Sequence, residues 1–180
     1  MVASATELDD ALEASPWAPF AGEFDCVNAF DLFASFAMLK CAKSPENPGD
    51  AARVAAALAR LEEVGLLVPG GAAGIEIRFC PLLNGTGLVP APGRMLLDDG
   101  LRGMSADGLA EVMAHEFVHL RQFAARGRNG FKCDYVRGMS ACGGCQDRAH
   151  PLEAPAYVAQ DHARERLRRQ PASQSDAAAR

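Results

Sequence analysis

The chain has 180 residues, 49% of them hydrophobic and 23% charged, with a net charge of −5 and a pI near 5.4. This is an ordinary globular composition, enough for one domain with a real core. The acidic balance argues against nucleic acid as the main partner, and no stretch is apolar for long enough to predict a membrane span.

Residues 1–22 read as a loosely ordered leader. As far as Pro19 it carries Glu7, Asp9, Asp10 and Glu13 and no basic residue, so the basic start and apolar run of a secretory signal are missing. Leu8, Leu12 and Trp17 are its candidates for docking onto the body. The expectation is a soluble chain, with the cytoplasm favoured. A helix is predicted over about 24–42, where Phe24, Val27, Phe30, Phe33, Phe36 and Leu39 recur at helical spacing and read as core. Ser44-Pro45-Glu46-Asn47-Pro48-Gly49 turns the chain. Asp50 is the expected N-cap of a second helix, about 51–64, with Val54, Leu58, Leu61 and Val64 on its apolar side and Gly65 as its stop. Ile75-Glu76-Ile77-Arg78-Phe79 alternates apolar and polar and predicts a half-buried strand. Residues 82–93, with Asn84-Gly85, Gly87, Pro90, Pro92 and Gly93, read as a loop, and Arg94 to Asp98 as a second short strand. A helix follows over about 105–126. Ser105 suits its N-cap, Asp107 and Glu111 its first turns, and Gly127 its C′ position. Leu109, Val112, Met113, Phe117, Leu120 and Ala124 give it an apolar stripe. Residues 127–150 read as a Gly- and Cys-containing loop, and about 152–169 as a last helix. The polar, Ala/Ser-rich tail 170–180 has the composition of disorder. The layout is therefore one domain over 23–169, with a helical pair at 23–68 and a catalytic part at 75–169.

The 105–126 helix carries His115-Glu116-Phe117-Val118-His119. Histidines four apart stack on one helix face, so both imidazoles can reach one zinc ion. Glu116 then lies beside a metal-bound water and can take its proton. The bland alternative, two unrelated histidines, is weakened by the well-formed helix around them. A catalytic zinc needs a third protein ligand. Asp134, His150, Glu153, Asp161 and His162 are the candidates. A third histidine six residues after the second is absent, since position 125 is alanine.

Ala114-His115-Glu116-x-x-His119-x-x-Gln122 resembles the motif helix of a bacterial family of zinc metallopeptidase-like domains of unknown function. That helix follows a Gly/Pro-rich loop and a short strand, and a Pro-x-Glu-x-x-Ala motif lies downstream. Pro151-Leu152-Glu153-Ala154-Pro155-Ala156 is similar to that motif. The layout also resembles gluzincin peptidases, whose third ligand is a glutamate on a later helix. The resemblance spans about 75–160 and leaves out the first seventy residues. It implies a zincin-like α+β fold, with a small sheet on the motif helix and further helices at both ends. It also implies one catalytic zinc held by His115, His119 and Glu153; apart from the resemblance, His150 is the runner-up for the third position. Pro155 departs from the pattern, because it interrupts the acidic motif. A carboxylate in a first helical turn is favoured by the dipole, and proline is tolerated there.

Other residues carry weaker readings. Tyr157 shares a helix face with Glu153 and is a candidate oxyanion donor, against a packing role; Tyr135 is a similar candidate. Gln122 could fix a ligand, and Asp161 could hydrogen-bond a ligand histidine. Cys26, Cys41, Cys80, Cys133, Cys142 and Cys145 permit three disulfides or six reduced thiols, and the missing signal favours reduced thiols. Cys142-x-x-Cys145 with Cys133 could make a second, structural zinc site. Arg164, Arg166, Arg168 and Arg169 read as a solvated helix end. The expected function is a zinc-dependent hydrolase, most simply a metallopeptidase acting on a peptide or protein with Glu116 as general base. The 94–98 strand is its candidate edge for an extended peptide. The alternative is a non-catalytic, metal-stabilised interaction module.

Overall fold

The motif helix is the longest element of the computed structural model, which describes residues 23–68, 70–82 and 86–170. The expectations for 1–22 and for the tail beyond Gln170 fall outside the described residues. The fold is α+β. In chain order come helix α1 (Glu23–Lys43), helix α2 (Asp50–Glu63), strands β1 (Glu76–Cys80), β2 (Gly87–Ala91) and β3 (Arg94–Asp98), a 3₁₀ turn at Asp99–Gly103, helix α3 (Ala106–Ala141) and helix α4 (Glu153–Arg169).

Helix α3 starts where its sequence says. Ser105 is extended, and its side chain accepts a hydrogen bond from the Gly108 amide. Gly127 sits at φ 71°, ψ 168°, and so stops the first helical run as expected. A second run follows at once and continues to Ala141, so the loop expected over 127–150 is confined to its last residues. Gly127 is thus a sharp bend that returns Phe131, Cys133 and Val136 to the core, where each is buried.

The sheet has three strands in the order β1-β3-β2. Strands β1 and β3 run parallel, with Ile77 opposite Met95 and Phe79 opposite Leu97. Strand β2 is antiparallel to β3 and irregular between Leu88 and Ala91. Two expectations are corrected here. The stretch 82–93 contains a strand, because an edge strand tolerates Pro90. And Arg94–Asp98 is central, so it offers no edge to a peptide; the edges of this sheet are β1 and β2. Met95 and Leu97 face α3 and pack with Leu109, Val112, Met113 and Phe117, while Leu96 faces Cys41 and Cys80 on the other side. A further correction concerns α2: Gly49 occupies its N-cap position without a side-chain cap, and Asp50 pairs with Arg102 at 3.0 Å instead.

A second apolar cluster joins α1 to the far half of α3 through Phe30, Phe123, Phe131 and Val136. The cysteines pair as Cys26–Cys133, Cys41–Cys80 and Cys142–Cys145. This overturns the reduced-thiol expectation. It also removes the second zinc site, because Cys133 is committed to Cys26. No helix among the described residues is long and apolar enough to cross a membrane.

Candidate metal centre

Helix α3 places His115 and His119 one turn apart on its buried face, and the first turn of α4 brings Glu153 against them. His115 Nε2 lies 2.9 Å from Glu153 Oε2 and 3.2 Å from His119 Nε2, and His119 Nε2 lies 3.4 Å from Glu153 Oε2. Donor atoms held about 2.0–2.1 Å from a tetrahedral ion sit roughly 3.4 Å apart. The three therefore have the chemistry and mutual spacing of ligands to one metal ion, and all three residues are buried. Fixed anchors hold each of the last two. Gln122 Nε2 donates to the Leu152 carbonyl at 2.9 Å, which orients its amide. Its Oε1 is then the acceptor 2.9 Å from His119 Nδ1, so the ring proton of His119 sits on Nδ1 and Nε2 keeps its lone pair. Tyr135 donates to Glu153 Oε1 at 2.7 Å, leaving Oε2 toward the histidines.

His150, the runner-up ligand, has another task. It is wholly buried. Its Nε2 donates to the Tyr135 carbonyl at 2.8 Å. Its Nδ1 accepts from the Leu152 and Glu153 amides at 3.0 and 3.3 Å. Both nitrogens are used, which fixes a neutral imidazole at the start of α4, and burial pushes its pKa down in agreement. Gly138 makes room for that ring: a Cβ there would lie 2.6 Å from His150 Nε2. Asp161 also leaves the site, since it pairs with Arg148 and Arg164. Arg164 reaches Glu111 as well, and Arg169 pairs with Glu165, so the basic end of α4 is in part a partnered surface.

Glu116 is 3% exposed. Burial raises its pKa, an effect that His119 and His115 oppose and Glu153 adds to. Glu153 is the reverse case. Burial pushes its carboxyl up, but hydrogen bonds from His115 and Tyr135 help to hold it well below the usual carboxylate range. Two carboxyls with opposite shifts thus share one site. Among the described residues three buried polar atoms lack a partner, and two of them, His115 Nδ1 and Glu116 Oε2, belong here. Glu116 fits only because position 87 is glycine. A Cβ on Gly87 would run into Glu116 Oε1 and lie 2.5 Å from its Cδ.

These residues open into a cleft of about 260 Å³ bounded by α1, β2, α3 and α4. Tyr157 lines it, with its ring edge against His115 at a centroid distance of 4.8 Å and its hydroxyl 3.3 Å from the Gln146 carbonyl. The structure therefore gathers His115, Glu116, His119, Glu153 and Tyr157 around one cavity. Sequence reasoning missed the parts played by His150, Gly138 and Gly87. Of these only Gly87 left a signal, a glycine flanked by strand-forming residues, which marks close backbone approach. Comparison with family models, curated proteins and solved structures finds no match to this chain.

Proposed function

We propose that this chain is a zinc-dependent hydrolase, most simply a peptidase, with His115, His119 and Glu153 as zinc ligands and Glu116 as general base. The observation that supports it is the convergence of three buried donor atoms beside a carboxylate whose Oε2 has no partner among the described residues, in an open cleft. Two imidazoles and one carboxylate are a zinc-type donor set, and three ligands leave a position free, as catalytic sites do and structural sites do not. When bound, zinc would supply Lewis acidity toward a carbonyl oxygen and make water a nucleophile near neutral pH.

The remaining steps belong to the chain. Gln122 and Tyr135 hold two ligands in place, so binding costs little reorganisation. Glu116 accepts a proton from the attacking water as the new carbon–oxygen bond forms. It returns that proton to the amine as the carbon–nitrogen bond breaks. Its raised pKa suits both halves of the transfer. Tyr157, whose hydroxyl makes only a long hydrogen bond, can turn toward the developing oxyanion. The cleft-facing edge of β2 can pair with an extended peptide.

The test is zinc per chain by elemental analysis, with peptide-library cleavage, on wild type, His119→Ala and Glu116→Gln. One zinc is expected in wild type, loss in His119→Ala, and zinc without cleavage in Glu116→Gln. A fully active Glu116→Gln would remove the general-base assignment, and a wild type that cannot be loaded would remove the metal reading.

A further inference from the structure

Beside the metal ligands the cleft is lined by apolar side chains, its apolar arm, and part of that lining comes from helix α1, which lies outside the motif-bearing part of the chain. Phe30, Phe33 and Ala37 recur at i, i+3 and i+7, so they share one face of α1, and all three line the cleft. Leu88 and Val89 of β2 and Phe131 of α3 form the opposite side. The arm starts at the ligands themselves: the Phe131 ring lies 6.1 Å from the His119 ring, and Phe30 meets Phe131 edge-on at 5.9 Å.

Helix α1 is fixed as a wall rather than laid on as a flap. Each end is tied by a disulfide, Cys26 to Cys133 of α3 and Cys41 to Cys80 of β1. Between them Lys132, which is 2% exposed, pairs with Asp31 of α1. The arm is therefore shaped before any ligand arrives, which is what allows a pocket to discriminate.

Its chemistry narrows the occupant. Among the described residues that line the cleft there is no lysine or arginine. An anionic group, such as a terminal carboxylate or phosphate, would find no counter-charge there. A dry apolar cavity of about 150 Å³ already takes a benzene ring, and this cleft has about 260 Å³ in all. Building on the hydrolase reading above, we infer that the arm selects a large uncharged side chain, aromatic or branched aliphatic, beside the bond to be cleaved. On this inference Phe33 and Ala37 of α1 set its size. The substrate class is then an internal apolar site in a peptide.

The test reads binding, so it needs no substrate. Zinc-loaded protein is titrated calorimetrically with acetohydroxamate and with hydroxamates bearing an isobutyl, a benzyl or a carboxyethyl side chain. The isobutyl and benzyl compounds should bind about tenfold tighter than acetohydroxamate or better, since each buries an apolar side chain, and the carboxyethyl compound should show no gain. Ala37→Phe, which fills the arm, should cut the gain to roughly threefold or less. Phe33→Ala changes a residue that is 37% exposed, so the variant should fold, and it should also shrink the gain. If acetohydroxamate binds but the larger side chains add nothing, or the gain survives in both variants, this inference fails and the hydrolase reading stands. If no hydroxamate binds the loaded protein, both fall.

Discussion

Glu116 shows how a single residue can serve chemistry at a cost to the fold. Its carboxyl is buried, one oxygen has no partner among the described residues, and burial raises its pKa above the ordinary value of 4.5. A carboxyl whose folded pKa is raised contributes stability that is complete below its unfolded pKa. That stability is lost as the pH rises through the folded pKa. In metal-free protein the penalty should therefore be present at neutral pH and absent near pH 4. Glutamine has the same shape and no charge, so Glu116→Gln should remove the penalty. Thermal melts of the chelated proteins should coincide near pH 4. At pH 7–8 the variant should melt higher by an amount on the order of 1 kcal/mol, or roughly 2–4 °C for a chain of this size. A variant that melts lower at both pH values would show that Glu116 is stabilised by contacts the structure does not contain. Gly87 belongs to the same compromise, because the strand gives up a side chain so that the carboxylate can lie flat against its backbone.

At the scale of elements, the third ligand depends on the junction between α3 and α4. His150 joins the Tyr135 carbonyl to the first amides of α4, Tyr135 reaches back to Glu153, and Gly138 gives the His150 ring its space. Gly138→Ala should push that ring away and shift Glu153. Zinc affinity, measured by competition with a chelator, should fall roughly 10–100-fold, as it does when the partners of a ligand are lost. Gly130→Ala is the control on the same helical run: its Cβ would meet Arg126 Cβ at 3.5 Å, an ordinary contact. Equal affinity in the two variants would remove His150 from the account. This junction also marks the limit of what the sequence reveals. The first run of α3 was legible because its period, its Ser105 cap and its Gly127 stop all agree, and His115, Glu116 and His119 came with it. The second run was not, since Gly127, Gly130 and Gly138 lower helix propensity and only tertiary packing and a disulfide hold the segment helical. Strand β2 was hidden by Gly87 and Pro90, which an edge position accepts. Glu153 was one of five candidate third ligands, and only a resemblance singled it out. The tasks of His150 and Tyr135 exist only once α4 is folded back on α3, a matter of long-range packing with no local pattern.

At the scale of the molecule, the cysteines decide how the cleft is held. Spacing cannot reveal pairing, and the two long-range bonds, 107 and 39 residues apart in sequence, both end on α1. The third spans only 3 residues, within the turn after α3. Closing a longer loop removes more freedom from the unfolded chain, so the chain-entropy model ranks them at about 4.8, 3.9 and less than 2 kcal/mol. Melts of zinc-loaded double alanine variants should follow that order. Cys26→Ala/Cys133→Ala should lose the most, Cys41→Ala/Cys80→Ala nearly as much, and Cys142→Ala/Cys145→Ala only a few degrees. The first two should also lose the preference for large hydroxamates, because α1 would no longer be fixed across the arm. The third should keep it, since neither of its cysteines lies on α1. Thiol titration gives the prior check: in denaturant, six thiols should appear only after reduction, as bonds of this kind require an oxidising compartment to form. Thiols that react without reduction would mean that α1 is held by packing alone. The ranking of the variants should then collapse to the small differences expected for buried cysteine-to-alanine changes.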